Sequence, residues 1–227
     1  MPVIAIVGAG PGLGLEIARV FGKEGFAVAL ISRTQSKLDE LAATLGSEGI
    51  EARGFAGDVT DPDSIAGALT AATDAFGAID VLEFSPLDPG LGMVDALNVD
   101  RASLAPQLEF HLYGGIAAVQ QVLPAMIKAG HGTVIITTGG GSITPVAMIG
   151  DINIAHAGLR NWALNLHNAA KPHGVHVAHL AISAWINGGH PEADAAVIAR
   201  EYWKLYENPE QAEYHHIALA EAPAPQI

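Results

Sequence analysis

The sequence predicts an α/β protein, a doubly wound parallel sheet of six or seven strands forming a single domain over residues 1–227. Three observations carry this expectation. Short β-branched runs alternate with longer helix-period segments, the order that builds a parallel sheet covered on both faces. The first run, Val3–Val7, is wholly apolar and leads directly into glycine, as a strand buried on both faces should. The length of 227 residues suits one such unit, and no repeat, linker or composition break divides it.

The elements follow in order. Leu13, Ile17, Val20 and Phe21 keep helical spacing up to Gly25. Residues 27–31 read as strand two; Ser36 is placed to cap a helix to about Leu45, with Gly46 as its stop. Residues 51–56 form strand three. Asp61 before Pro62 is an N-cap with proline at the first helical position, opening a helix to about Phe76. Residues 79–84 are strand four and 85–97, rich in Pro and Gly, a loop. Asp100 starts a long helix to about Lys128, with Pro106 early and Pro124 bending its end. Strand five covers 133–138, a helix 150–171 and strand six 175–182. Pro191 opens a last helix to about Tyr206, 214–219 form a seventh strand, and 221–227 are a tail.

Composition narrows the function. Half the residues are hydrophobic and 15% are charged, which excludes intrinsic disorder. The absence of Cys excludes disulfides and a thiolate zinc site. Lys+Arg total 11 against 24 Asp+Glu, a net charge of −13, arguing against nucleic acid or an anionic membrane as partner. No apolar run reaches the ~20 residues of a membrane span, and the N-terminus lacks a basic signal region. The expected location is cytoplasmic, and the low charge content favours self-association.

The most specific local feature is Gly8-Ala9-Gly10-Pro11-Gly12-Leu13-Gly14 between strand one and its helix. Glycines let backbone amides approach a pyrophosphate, and the helix start adds unpaired N–H groups and the positive dipole end. The alternative is a glycine-rich turn with no ligand. The strand-turn-helix context favours the dinucleotide reading and makes the fold Rossmann-type. At the end of strand two, where an NAD site usually carries an acid, the chain has Ser32 and then Arg33. Arg33 suits a charge-assisted contact to a 2′-phosphate, so NADP(H) is expected over NAD(H); otherwise Arg33 is a solvated loop charge.

These motifs resemble those of the short-chain dehydrogenase/reductase (SDR) family over nearly the whole chain. The family's TGxxxGxG turn corresponds to Val7 through Gly14, and its Asp-Val motif after strand three to Asp58-Val59. Ile79-Asp80-Val81-Leu82, the stretch from Gly114 to Met126, and Gly132 to Ile136 are similar to its fourth strand, long helix and fifth strand. The resemblance implies an NAD(P)(H)-dependent oxidoreductase acting on a small carbonyl or alcohol. It also implies a homodimer or homotetramer packed through the helices at 100–128 and 150–171. Gly8, Gly10, Gly12, Leu13, Gly14, Ser32, Arg33, Asp58 and Val59 are the expected cofactor contacts.

The reaction motifs depart from the family. Its Asn-Asn-Ala-Gly after strand four is replaced by Glu83-Phe84-Ser85-Pro86, its long-helix Asn falls at His111, and its Ser falls at Gly139. The Tyr-x-x-x-Lys pair falls at Ile152 and His156, and the Pro-Gly after strand six at Ile182-Ser183. The family's tyrosine exchanges a proton with the substrate oxygen; Ile152 does not, putting roughly 10²–10⁴-fold of rate at risk. His156, one helical turn beyond Ile152, is expected to face the cleft, with an unperturbed pKa suited to acid–base work. His111 faces it by the family's geometry. The expected replacement is a His111–His156 relay, with Thr138 or Ser142 binding a substrate oxygen. The alternative is that the histidines fill polar gaps. His173, His176, His179, His167 and the pair His215-His216 lack the spacing of a metal site, and none is expected. The short 183–190 segment places Trp185, Asn187 and His190 near any ligand, with a small substrate or an open site. Trp203 is expected to pack in a core or interface. A dinucleotide-binding protein without redox chemistry, or a lyase or isomerase on this scaffold, remain alternatives.

Overall fold

In the computed structural model, which describes residues 1–219, seven parallel strands form one sheet in the order β3-β2-β1-β4-β5-β6-β7. They are β1 (Val3–Val7), β2 (Ala27–Ser32), β3 (Ala52–Ala56), β4 (Val81–Phe84), β5 (Gly132–Gly139), β6 (Val175–Ala184) and β7 (Glu213–Ala218). The chain runs outward from β1 to β3 and then returns to place β4 on the other side of β1. That reversal leaves a crevice beyond the carboxyl ends of β1 and β4, where doubly wound sheets bind ligands. The expected Rossmann-type architecture, with seven strands, is therefore present. The tail at 221–227 lies outside the described residues.

Strand alternation assigns each face its own core. Val3, Ala5, Val7, Val134, Ile136 and Val177 pack under one helical layer; Ile4, Ile6, Ile135, Ala178 and Leu180 pack under the other. Trp203 belongs to the second core, edge-on to Phe21 at 5.2 Å between ring centroids. No helix among the described residues is long and apolar enough to cross a membrane.

Helix α1 (Leu13–Lys23) follows the glycine turn, and α3 (Pro62–Phe76) begins as expected, its Asp61 carboxylate accepting from the Asp63 and Ser64 amides. Helix α2 (Gln35–Ser47) starts earlier than expected: Thr34, not Ser36, is the N-cap position. Gln35 is recruited because its amide bridges to β3, donating to Gly54 O at 3.0 Å and accepting from Ala56 N at 3.0 Å.

The long helix expected from Asp100 is interrupted. Asp100 caps α4 (Arg101–Gln107) through a capping box, but residues Leu108–Tyr113 form a π-helical stretch before α5 (Gly114–Ala129). Pro106 lacks an N–H and its ring disturbs the preceding turn, so the helix widens directly after it. The wide turn carries Phe110 and His111, and such turns occur often at functional sites. Helix α6 (Gly150–Ala170) matches expectation. At the last helix, Pro191 opens only a short 3₁₀ turn, Pro191–Ala193. Asp194 then caps α7 (Ala195–Glu207) by accepting from Ala196 N at 2.8 Å.

Candidate functional site

The crevice holds a cavity of about 610 Å³, lined by the glycine turn, the end of β2 and the loop after β4. Each glycine has a separate physical reason. Gly8 has φ +102°, and a Cβ there would lie 2.5 Å from the Pro86 backbone. A side chain at Gly14 would lie 3.0 Å from Ala9 Cα, so this glycine lets α1 pack on the turn. Gly12 faces open space, with nothing within 4 Å of a Cβ. No side chain caps α1; the Leu15 and Glu16 amides bond back to Gly10 O and Gly12 O, which leaves the Leu13 and Gly14 amides for a ligand in that space. A phosphate group fits such a cradle. Gly8, Gly10, Gly12, Leu13 and Gly14 all line the cavity.

The rim at β2 is basic in a strongly acidic chain. Ser32, Arg33 and Lys37 line the cavity; Lys37 is a lining residue that the motif comparison missed. Arg33 donates to Asp88 Oδ2 at 2.8 Å, so it is not simply a solvated loop charge. The Gly90 amide and the Arg33 guanidinium together hold the Asp88 carboxyl below the usual carboxylate range. Gly57 and Val59 line the cavity, whereas Asp58 does not. The Asp58 carboxylate accepts from the Thr60 amide at 2.9 Å and hydroxyl at 2.8 Å, both through Oδ1.

The other end of the site is closed. His156 and His111 are brought together, His156 Nε2 lying 3.2 Å from His111 Nδ1. The Gly139 amide donates to His156 Nδ1 at 3.2 Å, which fixes the tautomers. His156 must carry its proton on Nε2 and donate to His111 Nδ1, leaving an N–H at His111 Nε2 with no partner among the described residues. Burial pushes His156 down to about 3, with His111 and His179 repelling any added proton, and burial pushes His111 down to about 4. Both rings are therefore neutral at pH 7. Two expectations change as a result. The pKa near 6.5 is lost to desolvation, and the histidines face each other, since the cavity lining contains Phe110 but neither His111 nor His156.

Thr138 is also redirected. It points with Val134 and Ile136 beneath α6, is 3% exposed, and is absent from the cavity wall. Its hydroxyl lies 2.8 Å from both Ser142 Oγ and His179 Nε2. His179 Nδ1 reaches Glu213 Oε1 at 2.9 Å, and Arg160 grips the same carboxylate at 2.6 and 2.8 Å. This network ties β5, β6, β7 and α6 together and commits the Thr138 hydroxyl to partners within the fold. Ser142 opens instead on a separate cavity of about 520 Å³ beside Asn153 and Ile154.

A second buried network lies on the opposite face of the sheet. Glu83 is fully buried, accepting from Ser85 Oγ at 3.0 Å and Thr137 Oγ1 at 3.1 Å. Thr137 in turn pairs with the Tyr202 hydroxyl at 2.8 Å. Burial pushes the Glu83 carboxyl up to about 8, so at pH 7 it carries a proton, which it donates to one of these hydroxyls, and it shares Ser85 with the cavity wall. The signal in the sequence was a glutamate inside an otherwise apolar strand, a costly placement without partners.

Of the three residues expected from the 183–190 segment, only Asn187 lines the cavity, with Ile186 beside it. Trp185 is 81% exposed, and His190 is occupied accepting from Glu192 N at 3.2 Å. Among the described residues no group of three His, Asp or Glu side chains converges as metal ligands would.

Residues 2–185 match the short chain dehydrogenase family, and the chain belongs to that family. It is 34% identical over 133 residues to 2-(S)-hydroxypropyl-CoM dehydrogenase 3 of Xanthobacter autotrophicus, covering 59% of this chain and 51% of that protein. It is 28% identical over 201 residues to the very-long-chain 3-oxoacyl-CoA reductase of Phaeosphaeria nodorum, covering 83% and 57%. The chain thus spans about half the length of the curated relatives it matches. Among solved structures, actinorhodin polyketide ketoreductase with NADPH superposes at TM-score 0.86 and 21% identity, over 96% of each chain. An NADPH-bound short chain oxidoreductase of Pseudomonas aeruginosa, described as containing an atypical catalytic center, superposes at 0.84 and 17% identity over 98% of each.

Proposed function

We propose that this chain binds NADP(H) in the crevice and acts as an oxidoreductase on a small carbonyl or alcohol with a non-standard proton-handling site. The observation that carries the proposal is the open cradle at Gly12 with Ser32, Arg33 and Lys37 on the same rim. That combination suits a pyrophosphate and a 2′-phosphate in a protein of net charge −13. The NADPH complexes of structurally similar proteins support the same cofactor. A bound nicotinamide supplies or accepts a hydride. The chain's own contribution is orientation in the crevice and one hydrogen-bond donor, the His111 Nε2–H held in place through His156 and Gly139. A neutral imidazole N–H polarises a carbonyl without carrying a charge into the site. We also propose a cytoplasmic homo-oligomer, in keeping with exposed Leu97, Met148 and Ile154.

A second reading, dinucleotide binding without redox turnover, is favoured by one observation: neither histidine lines the cavity. One experiment separates the two. NADPH binding is followed by fluorescence and its oxidation at about 340 nm with a panel of small aldehydes and ketones. The first reading expects turnover that falls roughly 10²–10³-fold in His111→Phe while NADPH affinity stays unchanged. Saturable binding with no turnover on any carbonyl supports the second.

A further inference from the structure

We propose that Asp88 sets the discrimination between NADP(H) and NAD(H) by competing with the 2′-phosphate for Arg33, an inference that rests on the cofactor assignment above. Arg33 follows β2 and Asp88 follows β4, and these two strands flank β1. An ion pair between them therefore spans the crevice at the carboxyl end of β1, over the glycine turn. Arg33 Nη1 lies 2.8 Å from Asp88 Oδ2, while Leu87 and Pro89 on either side of Asp88 line the cavity. The pair is a clasp across the mouth of the site.

The Asp88 carboxylate is built to stay. Gly90 N donates to its other oxygen at 2.9 Å, so the charge is fixed in position even when Arg33 leaves. Arg33 has no other side-chain partner among the described residues and its side chain is 52% exposed. It is therefore free to exchange a carboxylate for a phosphate, and exposed pairs of this kind break at little cost. A 2′-phosphate reaching Arg33 must displace one anion and then sit beside it. A dinucleotide ending in a 2′-hydroxyl meets neither demand. Asp88 thus lowers the advantage that Arg33 and Lys37 give to the phosphorylated cofactor. Leu87, 79% exposed, lies on the loop that the clasp holds across the crevice.

The test uses Asp88→Asn, which keeps the oxygen that accepts from Gly90 and removes the charge. NADPH and NADH are titrated against the wild-type chain and the variant by fluorescence at low salt. NADPH should bind roughly three- to tenfold more tightly in the variant, with NADH changing less than about twofold. In an Arg33→Met background the same change at Asp88 should give a smaller gain for NADPH. An unchanged NADPH-to-NADH ratio, or equal tightening of both, overturns the role given to Asp88. Failure of the wild-type chain to bind either dinucleotide overturns the cofactor assignment itself, and the clasp with it.

Discussion

The two ends of the crevice are built on opposite physical terms. At the β1–β2 end, glycines hold a volume open, the first amides of α1 are uncapped, and basic side chains line the rim. At the β5–α6 end, His156 accepts from the Gly139 amide and packs against His111. The first region offers the start of α1 and an exposed, exchangeable Arg33–Asp88 pair where a ligand would meet them. The second pairs His156 with the Gly139 amide and His111, and Thr138 with Ser142 and His179, at the expense of the charge states that acid–base chemistry uses. Within this family fold, binding capacity and proton delivery are thus separable, because they reside on different strands and respond to different substitutions.

The sharpest way to break this contrast is to fill the open end. Gly12→Val adds a side chain where nothing lies within 4 Å, but the ψ of −117° at Gly12 lies outside the regions open to branched residues, so the fold should be retained with a lowered melting temperature. NADPH affinity should drop by roughly 100-fold. Titration together with a thermal melt checks both, and a variant that binds NADPH normally would remove the cradle from the account.

A smaller effect sharpens the closed end. Glu83 is protonated up to about pH 8 in the folded chain, against a reference value of 4.5. Between these values the folded state holds a proton that the unfolded state has released, so stability falls as pH rises through the window. The depressed histidines act in the other direction and over a lower range. Their stabilising contribution is present above pH 6.5 and is lost as pH falls towards 4 and 3. At pH 6.5 the unfolded histidines are still half protonated, so the wild type is compared with Glu83→Gln, which carries the same histidines. Denaturant unfolding should show the wild type losing on the order of 2 kcal/mol relative to Glu83→Gln between about pH 6.5 and 8.5. An equal slope in both would place the titrating group elsewhere.

The sequence made the open end legible because its signals are local. The glycine turn sits between a strand and a helix, and Ser32-Arg33 closes β2. Asp61-Pro62 fixed a helix start for the same reason. Where sequence reading failed, the missing information was tertiary. Asp58 matched a motif, yet its carboxylate turned to Thr60. Thr138 was adjacent to the expected serine position, but strand alternation sent it under α6 to His179. His111 and His156 were correctly paired in space, while their burial and consequent neutrality could not be read from spacing. The π-helical turn after Pro106 replaced part of an expected continuous helix. Glu83 drew notice only as a motif departure, although a carboxyl within Val81–Phe84 was itself the sign of a buried polar network.

Nitrogen NMR of the imidazole side chains, in protein titrated with NADPH, reads the open dinucleotide cradle and the neutral, internally paired histidine couple in one experiment. Adding NADPH should give saturable changes, and His111 and His156 should both remain Nε2–H tautomers that do not titrate between about pH 8 and 5. A transition near pH 6.5 at either ring would show a histidine open to protonation, and no saturable response to NADPH would show the cradle empty of its ligand.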